Sequence, residues 1–252
     1  MPLESARSRM QTVPDLVLPP PFTLVRLREL GDAFVHAQSI AEKQGAGTLV
    51  HVGRFDLVEF ALVLEPDEPL RQARRAFYAG MTALAEAIAA HAAPETAVAI
   101  DWPDTLNVNR GLVGGGRLAW PQDANEDEPP PWLVFGGMIR TVSLSHAEPG
   151  LNPLVTALEE EGFGENSSDL LVESFARNIM FILDTWHESG FGAVAKSYLD
   201  RLSRESGLRR DIDDNGDLLV RRTGKTGVER LALLPRLAAP AWYDASAKGP
   251  RA

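Results

Sequence analysis

Cysteine is absent from the 252 residues. That excludes disulfides, thiolate metal sites and a cysteine nucleophile. Lysine is scarce, with Lys43, Lys196, Lys225 and Lys248 the only four. Most positive charge therefore sits on arginine, which does not exchange protons near neutral pH. Positive charge is also in deficit: 25 Lys and Arg against 35 Asp and Glu give a net charge of −10. Phosphate backbones need clustered cations, so nucleic acid is not an expected partner. No apolar run reaches the ~18 residues of a membrane span. Residues 1–21 carry Arg7 and Arg9 but lack the apolar core of a signal peptide. The expected location is the cytoplasm. The five histidines (36, 51, 91, 146 and 187) show no metal-ligand spacing, and no G-x-S-x-G elbow for a serine hydrolase occurs.

What is present is an ordinary globular composition, 44% hydrophobic and 24% charged, long enough for one core and a small appended unit. Leu18-Pro19-Pro20-Pro21 closes an extended lead-in, expected over residues 1–21. Asp32 can cap a helix with Phe34, Ala37, Ile40 and Ala41 on one face, stopped by Gly45 and Gly47. Residues 48–52 and 57–64 read as strands. Leu70, Ala73, Phe77, Met81, Leu84 and Ile88 predict a long helix ended by Pro94. Strands are expected at 98–102, 106–108, 112–120 and 132–144, with an acidic, Pro-rich surface loop at 122–131. Residues 145–167 read as mostly irregular, with a short helix near 154–161. Two helices follow, lined by Leu171, Phe175, Ile179, Ile182 and Trp186, then by Phe191, Val194, Tyr198 and Leu202. Asn215-Gly216 and the runs 218–222 and 228–233 predict a small β unit. The expected class is α+β, a mixed sheet backed by helices.

Three motifs begin well and fail. Gly224-Lys225-Thr226 lacks the earlier glycine of a phosphate loop, because Leu219 occupies that place. The run from Asp211 through Asp213 to Gly216 starts like a calcium loop, but Arg222 stands where a bidentate glutamate is needed. His187-Glu188 is followed by Phe191 instead of a second zinc-binding histidine. Turns and a helix end account for all three.

The informative stretch is Asp101-Trp102-Pro103-Asp104-Thr105-Leu106-Asn107-Val108, followed by Leu112-Val113-Gly114-Gly115-Gly116-Arg117-Leu118. It resembles the K-W-P-N-D segment of biotin protein ligases, which is followed by a strand, a turn and a K-x-x-G pattern. Trp102-Pro103 falls on the Trp-Pro and Gly115 on the glycine. Asp32 to Gln44 with Gly47-Thr48-Leu49-Val50 resembles the first helix and strand of that family. The stretch 175–202 resembles its closing helix pair, and 212–220 the start of its C-terminal β domain. The resemblance to the biotin and lipoate protein ligases thus covers about residues 25–220.

The resemblance implies joining the carboxylate of a biotin-, lipoyl- or octanoyl-type acid to ATP, then transfer of the acyl group to a lysine of a carrier domain. Both reactants are anions, so such a site must supply fixed positive charge. Here the K-x-x-G lysine falls on Leu112, and the lysine before Trp-Pro falls on Asp101. Asp104 stands for the asparagine, and the Arg/Gly-rich loop shrinks to His51-Val52-Gly53-Arg54-Phe55-Asp56. ATP is implied by the resemblance and opposed by the missing cations. The ligand-binding candidates are Trp102, Asp104, Gly114, Gly115, Gly116, Arg117 and Arg54, with Arg110 and Arg140 as further anion-binding arginines. In the resembled enzymes the strand bearing Gly115 faces the ligand, and three glycines there are expected to leave room for an acyl chain. No catalytic residue is assigned. The expected organisation is a lead-in at 1–21, a ligase-like domain at 22–205, a β subdomain at 206–245 and a tail at 246–252. Three readings stay open at this level: acyl transfer by substituted residues, a pseudo-ligase binding a ligand or carrier, and an interaction protein with a closed pocket. The resemblance is compatible with a homodimer.

Overall fold

A computed structural model describes residues 16–29, 31–144, 154–164 and 167–251. Most of the expected lead-in, and much of the stretch 145–167, lie outside the described residues. The chain forms a seven-stranded sheet in the order β1-β2-β3-β7-β6-β5-β4. The strands are β1 (Thr23–Leu27), β2 (Thr48–Gly53), β3 (Leu57–Leu64), β4 (Val98–Asp101), β5 (Thr105–Val108), β6 (Gly111–Ala119) and β7 (Leu133–Arg140). Among the described strand pairs of this sheet, only β1–β2 is parallel. The four strand runs read around residues 57–64, 98–102, 112–120 and 132–144 share this sheet, as expected.

Helix α1 (Ala33–Gln44) covers one face. Asp32 caps it by accepting from the Val35 amide at 2.9 Å, and Gly45 ends it at φ 76°, a left-handed backbone that glycine adopts without strain. Ala33, Ala37 and Ala41 are fully buried against Val50, Val52, Ala61 and Val63. Small residues at helical spacing let the helix lie close to the sheet.

The opposite face carries the main core. The expected long helix is two pieces, α2 (Leu70–Ala73) and α3 (Ala76–His91). The interruption at Arg74-Arg75 has no Pro or Gly signal. The acidic loop docks on this segment: Leu70 and Arg71, at the start of α2, donate backbone bonds to Glu128 and Glu126, and Arg74 pairs with the Glu126 carboxylate. Helices α4 (Ser167–Ser189) and α5 (Phe191–Arg201) pack beside α3. His51, on β2, is buried on this side, and neither ring nitrogen has a partner among the described residues. Burial holds its pKa below the ordinary histidine value.

The C-terminal unit is a three-stranded sheet, β8 (Leu208–Ile212), β9 (Leu218–Arg222) and β10 (Glu229–Leu231), followed by α6 (Leu233–Ala238). The calcium-like stretch is the turn between β8 and β9, in which Asp213 accepts from the amides of Asn215 and Asp217. Residues 246–251, expected as a tail, fold back instead. They supply β12 (Gly249–Pro250), which pairs with β11 (Tyr243–Asp244) and lies on β6 and β7. No described helix is long and apolar enough to cross a membrane.

Candidate functional site

The sheet face bearing α1 splits into two halves. Helix α1 covers β2, β3 and the start of β7. Residues 241–251 cover β6 and the end of β7. Alternation along the strands decides which side chains meet there. Gly115 and Arg117 on β6, Gly136, Met138 and Arg140 on β7, and Leu57 and Glu59 on β3 all point to this face.

Gly115 is the centre of the arrangement. A Cβ there would stand 2.0 Å from the Asp104 carbonyl oxygen and 2.5 Å from the ring of Trp242. Trp242 is fully buried, packs against Leu57 and Met138, and donates its indole N–H to the Gly116 carbonyl at 3.1 Å. Asp104 fixes the approach of that segment: its Oδ2 accepts from the Ala241 amide at 2.9 Å and its Oδ1 from the Thr105 hydroxyl at 3.0 Å. Burial raises the Asp104 pKa, and these hydrogen bonds oppose the rise. The expected open space along the three glycines is therefore taken. Trp242 fills it at Gly115, Met81 and Phe135 at Gly116, and the Met138 carbonyl at Gly114.

Between the two halves lies a charged seam. The Arg117 guanidinium sits between two rings, 4.4 Å from the centroid of Phe34 and 4.4 Å from that of Tyr243, a cation–π arrangement on both sides. Arg54 grips Asp56 through two bonds of 3.0 and 2.7 Å. Glu59 is buried and accepts from the Ala33 amide at the start of α1, at 2.8 Å. Its pKa is raised by burial first, with Asp32 adding to the rise and the Ala33 bond, Arg54 and Arg117 opposing it. Arg140 donates to the carbonyls of Pro250 and Arg251 at 2.8 and 2.9 Å.

A carboxyl with a raised folded pKa binds protons more tightly in the folded state. Its stabilising contribution is complete below the ordinary glutamate value and is lost as pH rises through the raised one. Glu59→Gln keeps an acceptor for Ala33 and removes the titration. The stability of Glu59→Gln relative to the parent is therefore expected to increase from pH 4.5 to pH 7 in denaturant unfolding. A difference that is flat with pH would show that Glu59 titrates as an exposed acid.

The other candidates lie elsewhere. Trp102 belongs to the core on the α3 side and donates to the Tyr78 hydroxyl at 3.2 Å. Tyr78 in turn donates to the Gly216 carbonyl, and Tyr198 donates to the Pro103 carbonyl at 2.8 Å. Trp102-Pro103 thus joins the sheet to α3, α5 and the C-terminal unit. Arg110 sits in an exposed turn at φ 74°. His51 and Val52 are in strand, so the shortened loop is only Arg54, Phe55 and Asp56. Sequence reading missed Glu59, Phe34, Trp242 and Tyr243. A lone acid in the apolar run Leu57-Val58-Glu59-Phe60 was the available signal for the first. Among the described residues no group of acids and histidines could hold a metal ion.

The Biotin/lipoate A/B protein ligase family matches residues 18–200. The chain belongs to this family. A biotin–[acetyl-CoA-carboxylase] ligase of Paracoccus denitrificans is 29% identical over 182 residues, 64% of this chain and 72% of the relative. The crystal structure of a biotin protein ligase-like protein of unknown function from a Silicibacter species matches with a TM-score of 0.73 at 26% identity, covering 86% of this chain and 96% of that one. Biotin protein ligase from Aquifex aeolicus shares the fold, with a TM-score of 0.63 at 15% identity over 83% of this chain and 95% of that one.

Leu112 and Asp101, the residues that stand where the resemblance expects lysines, are both engaged within the fold. Leu112 packs on the cluster of Trp242, Leu57 and Met138. Asp101 accepts from the Asn107 amide at 2.8 Å and the Ser203 hydroxyl at 2.6 Å, tying the edge of the sheet to the end of α5.

Proposed function

We propose that this family member has left acyl-adenylate chemistry and acts as a binding or interaction module, a pseudo-ligase. The observation that carries this reading is Trp242 seated on Gly115. In the resembled enzymes that strand faces the ligand. Here its outer surface is covered by the chain itself, and a ligand there would have to displace a fully buried indole. Leu112 and Asp101 add a second reason, since neither can draw two anions together. The arginines do not replace them: Arg54 is neutralised by Asp56, Arg117 is held between two rings, and Arg140 is used on backbone carbonyls. Kinship with biotin protein ligases supports a carrier domain as the partner of such a module.

The test is ATP–pyrophosphate exchange with biotin, lipoate or octanoate. Removing one preorganised donor costs about 10²–10³-fold in rate, so loss of two is expected to leave exchange at background. Exchange within 100-fold of an active biotin protein ligase assayed beside it would contradict the proposal.

A further inference from the structure

The opposite side of the sheet holds a chamber that the family comparison does not account for. It is a cavity of about 350 Å³ at the end of β3 and the start of β7, roofed by α4 and the start of α3. Its floor is Leu62, Leu64 and Leu133, and its roof is Met180, Leu183 and Trp186, at helical spacing along α4. The size lies at the small end of ligand pockets, about 300–1,000 Å³, and the lining is mostly apolar, as such pockets are.

The mouth has one sign of charge. Glu65, Asp67 and Glu68 line the chamber with His187, and among the described residues no lysine or arginine does. Glu65 accepts from the Ala46 amide at 3.2 Å, and Glu68 pairs with Arg75 at 2.7 Å. Asp67 is exposed and makes no ion pair among the described residues. Beyond the mouth a larger cleft of about 760 Å³ shares Asp67, Glu68, Trp186 and His187 and continues past α5 to the small sheet. Its cations are Arg75, Arg210 and the exposed Lys196; Arg75 is committed to Glu68 and the Phe191 ring, and Arg210 to Glu205 and the Ser203 carbonyl. Asp200, Asp211 and Asp214 add negative charge there.

We propose that this chamber binds a small amphiphile with an alkyl tail and a cationic amine head. The tail replaces water against Leu62, Leu133 and Met180, and the ammonium group stays at the mouth beside Asp67. A carboxylate of the same length would place like charge among three acids. The site therefore selects against the acids that the family activates. This inference does not rest on the loss of ligase chemistry, because pyrophosphate exchange and the titration below can fail independently.

The test is calorimetric titration of the full chain with hexylammonium, octylammonium and octanoate at low ionic strength. Octylammonium is expected to bind at least tenfold more tightly than octanoate. Each added methylene is expected to improve affinity by roughly fourfold, the transfer value of a buried CH₂. Ala76→Leu, which grows into the chamber from α3, should abolish binding with the melting curve retained, and Ala73→Leu gives an independent filling from α2. Asp67→Asn, at an exposed position, should weaken the amine by roughly two- to fivefold and leave octanoate unchanged or improved. No binding of octylammonium, equal binding of octanoate, or undiminished binding by folded filling variants would overturn the proposal.

Discussion

Trp242→Ala is expected to destabilise the protein by about 3–5 kcal/mol, the usual cost of truncating a large buried aromatic. Trp242 is fully buried between β6, β7 and the start of β3, and its indole N–H is satisfied by Gly116. Alanine would leave a void lined by Leu57, Leu112 and Met138 and would remove the hydrogen bond, worth about 1 kcal/mol net. Tyr243 would lose its aromatic neighbour, 5.4 Å away, and with it part of the support for Arg117. In a chain of this size the drop corresponds to a melting temperature lower by about 10 °C. A fall of less than about 1 kcal/mol in denaturant unfolding would mean that the C-terminal segment only rests on the sheet.

Gly115→Val is expected to be at least as damaging. The sequence alone suggests a valine that fills an acyl pocket and leaves the fold intact. The structure corrects that expectation, because the first added carbon already meets the Asp104 carbonyl at 2.0 Å as well as the Trp242 ring. A flexible side chain could move aside, but the carbonyl is backbone and accepts from the Gly116 amide at 3.1 Å. The β5–β6 contact would have to open, so the cost should exceed the ~1–3 kcal/mol of ordinary overpacking. Gly53→Val is the matched control. Nothing lies within 4 Å of its added Cβ, and its effect should stay within about 0.5 kcal/mol, as for a surface change. Comparable melting curves for the two variants would show that Gly115 has room beside it.

Much of the fold is legible because its signals are local. Leu57 to Leu64 and Leu133 to Arg140 are apolar runs bounded by turn residues, and both form central strands. Asp32 and Gly45 mark the two ends of α1 as caps should. The misses come from contacts distant in sequence. Thr23 to Leu27 follows three prolines and lies outside the expected strands, yet it gains its partner from β2 across α1. The break after Ala73 lies where Arg74 pairs with Glu126 of the 122–131 loop, and it leaves no mark in the helical pattern. Trp242 and Tyr243 follow a proline and look like the end of a peripheral unit. They reach their positions through Asp104 and Gly116, more than a hundred residues earlier. The candidate site was legible in its parts and not in its state. Gly115 and Arg117 share a face and Arg54 stands at its edge near Glu59, but only the fold shows that face already covered.

Whether that cover ever opens can be read by amide hydrogen exchange across residues 239–251, with and without saturating biotin and ATP. The Ala241 amide is bonded to Asp104 and the Arg251 amide to the Trp242 carbonyl, at 2.9 and 2.8 Å, so both report on the seated segment. Unchanged protection on adding the two compounds is expected if Trp242 is a permanent part of the sheet face. A saturable loss of protection confined to this segment would contradict it, since it would mean that the indole gives way to a ligand on Gly115.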